Sequence, residues 1–154
     1  MPAINKSWYP QTKRYNEICE QADPNECADC TIKAIAMVTG TSYAKTKQVL
    51  ESHGKKPRCG CLESIQRKAL KTLGFKARRV NPQTFIDQYP EVHKRQLKNV
   101  TTHQPDRFPY VFQNGKTYLV YVPKHVLAMI DGKVHDWTRG RRKKVTTILE
   151  ILPV

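Results

Sequence analysis

The chain has 154 residues, of which 39% are hydrophobic and 26% are charged, enough apolar material for one globular core. Lysine and arginine number 27 against 13 aspartates and glutamates, and the resulting net charge of +14 excludes an acidic solvating protein. No apolar run approaches the roughly 20 residues of a membrane span, and the apolar residues recur periodically, unlike those of a disordered chain.

The apolar spacing predicts helices in the first half of the chain. Residues 1–24 are polar and predict an irregular N-terminal arm. Helical periodicity predicts three helices in succession, at 31–39, from 43 to near 54, and at 62–73, with Leu62 on the apolar side of the third. A further short helix is predicted after Pro82.

The second half of the chain predicts mainly strands. Alternating or β-rich runs occur at 75–80, 117–122, 125–130, 133–137 and 145–152. Asp131 and Gly132 form a two-residue hairpin turn between the third and fourth of these runs. Helices followed by antiparallel strands are typical of the α+β class. We therefore predict a single domain over 25–154, with an insertion at 91–112.

Cys30 is the first candidate for chemistry, because it stands at the start of the helix predicted from residue 31. A thiol at a helix N-terminus experiences the positive end of the helix dipole, which favours the thiolate form. The thiolate is the nucleophilic form of cysteine. The chain has five cysteines, an odd number, and begins without a signal-peptide core, so a disulfide framework is not expected.

His125 and Asp136 are predicted to lie together. His125 begins one strand and Asp136 ends the next, and the two strands join at the Asp131-Gly132 turn. The start of one hairpin strand lies beside the end of the other, so Asp136 can hold the His125 imidazole in one orientation. His125 can then pair with Cys30 and protonate a leaving group. His135, one residue earlier, is expected on the opposite face, exposed or structural.

Three stretches together resemble the papain-like cysteine peptidase superfamily in its compact, phage-encoded form: DCTIKAIA at 29–36, TGTSY at 39–43 and YLVYVPKHVLAMIDGKVHD at 118–136. The resemblance implies a papain-like α+β fold, with the nucleophile helix packed on a C-terminal antiparallel sheet. It implies a Cys30–His125–Asp136 triad of nucleophile, base and orienting group. The family places an oxyanion-hole Gln six residues before the Cys, where this chain has Pro24, and Asn25 or Gln21 could substitute.

The resemblance implies a cysteine hydrolase that needs no cofactor. Its reaction would be hydrolysis of a peptide or isopeptide bond through a thioester, and deamidation or transfer to an amine would use the same triad. A phage protein of this kind would act on a host or viral protein in the host cytoplasm. A papain-like pseudoenzyme that binds a host protein is an alternative.

A zinc site is the second alternative, from a different functional class. Cys27 with Cys30, and Cys59 with Cys61, form two close pairs, and four thiolates suit tetrahedral zinc. In a basic protein such a site indicates a non-catalytic nucleic-acid-binding module.

The basic residues indicate an anionic partner without identifying it. Clusters occur at 55–58, 76–79 and 94–95, and each alone is expected to be a solvated face. The densest cluster comprises Arg139, Arg141, Arg142, Lys143 and Lys144. It could bind nucleic acid with steep salt dependence, or draw an acidic protein substrate to a site beside Asp136.

Overall fold

The fold is known from a computed structural model, which describes residues 10–80, 101–102 and 112–154. The first nine residues of the predicted arm lie outside this described part, and so does the helix predicted after Pro82. The predicted insertion at 91–112 also lies outside it, except for Thr101, Thr102 and Phe112.

Four helices are present in the described residues: α1 (Lys13–Gln21), α2 (Cys30–Thr39), α3 (Tyr43–Ser52) and α4 (Glu63–Thr72). The last three confirm the predicted helices. Leu62, expected on the apolar side of α4, instead precedes the helix and is 70% exposed. Within the described part of the chain, no helix has the length and apolar character needed to cross a membrane.

Helix α1 corrects the prediction of an irregular arm over residues 1–24. Thr12 caps the helix, since its Oγ1 accepts a hydrogen bond from the Tyr15 N–H at 3.2 Å. Tyr15 and Ile18 are buried, three residues apart on one side of the helix. These two side chains, with the partly buried Cys19, pack the helix against the core, and the polar residues around them concealed that signal.

The strands form one antiparallel sheet, with β1 (Phe75–Arg79), β2 (Thr117–Val122), β3 (His125–Ile130), β4 (Lys133–His135) and β5 (Thr147–Pro153) in the order β1-β5-β2-β3-β4. The α+β class is therefore confirmed. Strand β4 ends two residues earlier than predicted, and β5 starts two residues later.

Helix α2 is the central helix and packs mainly on β3. Seven of its ten residues are buried, and it ends at Gly40, whose φ of 68° reverses the chain after the helix. Alternation along the strands divides the core in two. Leu119, Val126 and Ala128 belong to the cluster that includes α2, whereas Val120 and Leu127 belong to a second cluster.

Two tight turns place the residues predicted for the site. Val122 pairs with His125 across the Pro123-Lys124 turn, so His125 is the first residue of β3. Asp131 and Gly132 have φ angles of 52° and 76°, as a type I′ turn requires, and this confirms the predicted hairpin. Because the turn pairs Ala128 with His135, Asp136 follows directly at the end of β4.

A buried ion pair fixes the segment that leads to α2. The side chains of Glu26 and Lys55 are 1% and 0% exposed, and the Glu26 carboxylate lies 3.6 Å from Lys55 Nζ. The same carboxylate accepts hydrogen bonds from the backbone N–H groups of Ala28 and Arg58. Burial raises the pKa of Glu26, but these hydrogen bonds and Lys55 outweigh it, and the pKa is lowered. The expectation of a solvated 55–58 cluster is wrong for Lys55.

We predict that Glu26→Gln lowers the free energy of unfolding by about 3 kcal/mol, because it leaves the Lys55 ammonium buried without its counter-ion. The loss should shrink in acid. The lowered folded-state pKa means that the contribution is present above the ordinary pKa of 4.5 and is lost as the pH falls through the folded-state value.

Urea unfolding measures this difference, and Glu17→Gln is the matched control. Glu17 pairs with Lys13 at 3.8 Å, but the two side chains are 56% and 91% exposed. This control should cost less than about 0.5 kcal/mol. Equal losses for the two variants would contradict a structural role for the Glu26–Lys55 pair.

Candidate active site

Cys30 is the first residue of α2, the position expected from the sequence. The preceding residue, Asp29, makes no side-chain cap with the helix. Its carboxylate instead accepts a hydrogen bond from the Tyr43 hydroxyl at 2.9 Å and lies 3.4 Å from Lys33 Nζ. The N–H groups of the first turn, which have no partner within the helix, are therefore left uncapped by Asp29 beside the Cys30 thiol.

The structure brings His125 and Asp136 together. His125 Nε2 lies 2.8 Å from Asp136 Oδ2, and the two side chains are only 13% and 6% exposed. The same carboxylate oxygen accepts hydrogen bonds from the Thr138 backbone N–H at 3.1 Å and from its hydroxyl at 2.6 Å. Asp136 is therefore fixed from two sides, and it fixes the orientation of the imidazole in turn.

Thr138 did not emerge from the sequence reasoning. The spacing Asp136-x-Thr138 carries a signal in retrospect, because an Asp side chain commonly accepts hydrogen bonds from the residue two positions later. With Thr138 buried at 1% exposure, the pair closes the end of the β3–β4 hairpin.

Cys30 and His125 lie close enough for each to shift the pKa of the other. Burial raises the pKa of the Cys30 thiol, but hydrogen bonding from the His125 side chain and the Val126 backbone, together with the nearby imidazolium charge, outweighs burial and lowers the pKa below its ordinary value. With His125 Nε2 bonded to Asp136, the Nδ1 atom is the one left to face Cys30.

The electrostatics of His125 complement those of the thiol. Burial lowers the pKa of His125, but the hydrogen bond to Asp136 and the interaction with Cys30 outweigh burial. The pKa is therefore raised from its ordinary value of 6.5 to about 9. Both shifts favour a Cys30 thiolate beside a His125 imidazolium over the neutral pair. This is the charge state that a cysteine nucleophile with an attendant acid needs.

Trp137 flanks the imidazole. The two ring centroids are 5.4 Å apart, and the indole is 45% exposed. Arg141 Cζ and Lys143 Nζ lie 5.2 Å and 5.7 Å from the centroid of the indole ring. A half-exposed indole at this position forms one wall of the site and joins it to the basic residues that follow.

The two oxyanion-hole candidates are not brought to the triad by any hydrogen bond in the described residues. Gln21 Oε1 accepts a hydrogen bond from the Tyr43 N–H at 3.0 Å and so serves the start of α3. Asn25 is exposed, and its backbone N–H donates to Asp23 at 2.9 Å. A role for either residue in the oxyanion hole remains a prediction.

The structure describes all five cysteines, and all are free. In the described part of the chain, no three Cys, His, Asp or Glu side chains are grouped to hold a metal, so the zinc set of Cys27, Cys30, Cys59 and Cys61 is not assembled. Cys61 differs sharply from Cys30. Burial and the proximity of Cys30 raise the pKa of Cys61 to about 11, despite the opposing effect of Lys55.

His135 has a structural position. It is 9% exposed, and its Nδ1 lies 2.7 Å from the hydroxyl of Thr12, the cap of α1. Burial and the charges of Arg14 and Arg139 lower the pKa of His135 to about 4, so it is neutral where His125 is charged. It joins β4 to the N-terminal helix and does not contact the triad through a hydrogen bond.

Comparisons with protein-family models, curated proteins and solved structures found no match to the chain. The assignment of a function therefore depends on the arrangement of side chains around Cys30.

We predict that the two histidines titrate at opposite ends of the pH scale. Imidazole NMR signals should show His125 protonated up to about pH 9 and His135 neutral down to about pH 4. Because the folded pKa of His125 lies above 6.5, its protonation stabilises the fold below pH 6.5, and that stability is lost as the pH rises through about 9.

Asp136→Asn separates the causes of the His125 shift. Without the carboxylate the remaining dominant effect is burial, so the pKa of His125 should fall, while that of His135 should stay where it is. A His125 pKa that is unchanged in this variant would show that Asp136 does not stabilise the imidazolium.

Proposed function

We propose that the protein is a cysteine hydrolase of papain-like type, which cleaves an amide bond through a thioester intermediate. The observation that carries the proposal is the position of His125, which is held by Asp136 at 2.8 Å and lies close enough to Cys30 to lower the pKa of its thiol. The packing of a buried helix that begins with Cys30 on a strand that begins with His125 supports the papain-like fold.

In the first step the Cys30 thiolate attacks the carbonyl carbon of the substrate. The new C–S bond forms as the carbonyl π pair moves to oxygen, which gives a tetrahedral intermediate. The backbone N–H of Cys30, which has no partner within its helix, would donate to that oxyanion. As the C–N bond breaks, the His125 imidazolium gives its proton to the departing nitrogen, and a thioester remains on Cys30.

In the second step water releases the acyl group. Neutral His125 takes a proton from the water, and the resulting hydroxide attacks the thioester carbonyl. The C–S bond breaks, the acid product leaves, and the thiolate–imidazolium pair is restored. A substrate amide that releases ammonia makes the reaction a deamidation, and an amine in place of water makes it a transfer.

Asp136 contributes by orientation and charge. Its hydrogen bond to Nε2 leaves Nδ1 as the nitrogen available to Cys30 and stabilises the imidazolium that acts as the acid. Thr138, which donates twice to the same carboxylate, keeps that acceptor in place. The triad therefore has each of the three roles that acyl transfer requires.

We predict that p-nitrophenyl acetate, an activated ester that acylates thiols, is turned over by the protein. Cys30→Ala should abolish turnover and keep the fold, because the thiol is only partly buried. His125→Ala should reduce turnover by roughly 10²–10⁴-fold, and Asp136→Asn should reduce it less. Release of p-nitrophenolate measures the rate, and circular dichroism checks the fold.

Cys27→Ala is the control, because Cys27 is an exposed thiol outside the triad, and its turnover should match that of the wild type. The pH profile should begin below the ordinary thiol pKa of 9.0, because the pKa of Cys30 is lowered. Turnover that persists in Cys30→Ala, or that disappears equally in Cys27→Ala, would overturn the proposal.

A further inference from the structure

The loop that follows Asp136, residues 137–144, concentrates positive charge beside the triad. We call it the basic loop. In the described part of the chain, none of its five cations forms an ion pair: Arg139, Arg141, Arg142, Lys143 and Lys144. The other described basic clusters are partly neutralised by glutamates from elsewhere in the chain. Lys55 pairs with Glu26, and Arg78 pairs with Glu150 at 2.6 Å.

The backbone of the basic loop is held in a defined position. The Arg141 N–H donates to the Thr138 carbonyl at 2.8 Å. The Thr102 hydroxyl donates to the Arg141 carbonyl at 2.9 Å and accepts from the Lys143 N–H at 3.2 Å. Because Thr138 also holds Asp136, the loop and the triad are parts of one hydrogen-bonded unit, and the loop backbone keeps a fixed position relative to the site.

Trp137 connects this charge to the reacting groups. One indole ring lies beside both the His125 imidazole and the Arg141 and Lys143 cations. Stacking on the indole orders the two long side chains, which reduces the entropy lost when they bind a ligand. Guanidinium groups bind carboxylates through paired N–H donors.

We propose that the basic loop is the docking surface for an acidic segment of a polypeptide substrate, adjacent to the bond that Cys30 attacks. This inference rests on the proposed function, because it identifies the substrate class of that same site. Carboxylates of the substrate would contact Arg141 and Lys143, and the polypeptide would continue past Trp137 towards His125. Charge complementarity of this kind raises the rate of encounter and selects among partners.

The observations favour an acidic polypeptide over single-stranded nucleic acid. Single-stranded nucleic acid is bound by basic grooves with several aromatic platforms for the bases. Trp137 is the one exposed aromatic residue in the described part of the chain, and two cations already occupy positions over its ring. The loop also lies beside a site whose proposed chemistry is directed at an amide carbonyl.

Two bromoacetylated peptides test this inference. They share a Gly-Gly linker and differ only in carrying four Glu or four Gln residues, and each alkylates a thiol with loss of bromide. The measured quantity is the ratio of their rates at Cys30, resolved by peptide mass spectrometry. At about 0.02 M salt the Glu peptide should react about tenfold faster, and at about 0.5 M salt the ratio should approach unity.

Arg141→Gln combined with Lys143→Gln should bring the low-salt ratio to within about twofold of unity, because the local attraction is removed. Lys68→Gln with Lys71→Gln is the matched control. It removes the same charge from exposed positions on α4 and should keep the wild-type ratio. Using a ratio within each variant cancels any change in the intrinsic reactivity of Cys30.

A wild-type ratio near unity, or an equal fall in both double variants, would overturn the inference. If a 20-nucleotide oligo-dT binds the wild type, loses affinity in the basic-loop variant only, and the ratio is unity, the loop is a nucleic-acid site. Failure of the proposed function has a different signature, in which Cys30 reacts no faster than Cys27 with either peptide.

Discussion

The hydrogen bond between His125 Nε2 and Asp136 Oδ2 is the interaction on which the site depends. Both side chains are nearly inaccessible to water, so the carboxylate acts on the imidazole with little screening. That contact supports the proton on His125, and the charged imidazole in turn lowers the pKa of the Cys30 thiol. Loss of the carboxylate would remove the charge on which both of the other groups depend.

The fold supplies this contact at low conformational cost. A type I′ turn at Asp131-Gly132 fixes the register of the hairpin, and the register brings Asp136 to His125. A separate element, the buried helix α2, delivers Cys30 from a distant part of the sequence. The Glu26–Lys55 pair and the Tyr43–Asp29 hydrogen bond hold the segment that leads to this helix. Two of the three groups, His125 and Asp136, are thus brought together by a local hairpin, whereas Cys30 is brought to them by long-range packing of α2.

This division explains what the sequence could predict. Helices α2 to α4, the hairpin turn and the His125–Asp136 contact follow from periodicity and local register, and they are confirmed. The approach of Cys30 to His125 depends on how α2 packs on β3, which no local pattern encodes; it was expected from the chemistry of the three residues and from the papain-like resemblance. Helix α1 was missed because only two of its side chains are buried.

The charges that matter were the least predictable from sequence. Lys55 stands in a basic run yet is fully buried, because its partner Glu26 lies 29 positions earlier and is brought to it only by folding. Arg141 and Lys143 belong to a similar run, yet they remain without an acidic partner in the described residues and stack on Trp137. Composition gives the total charge of the chain, but only the folded structure shows which cations have an acidic partner and which remain available to bind an anionic ligand.

The most direct test of the account is the rate of Cys30 alkylation by iodoacetamide as a function of pH, with His125→Ala measured beside the wild type. Labelling of Cys30 should become rapid at a lower pH than that of an ordinary thiol of pKa 9.0, and it should slow in the variant, because the imidazolium stabilises the thiolate. A Cys30 that is labelled only at the pH of an ordinary thiol, or that reacts at the same rate in both proteins, would contradict this.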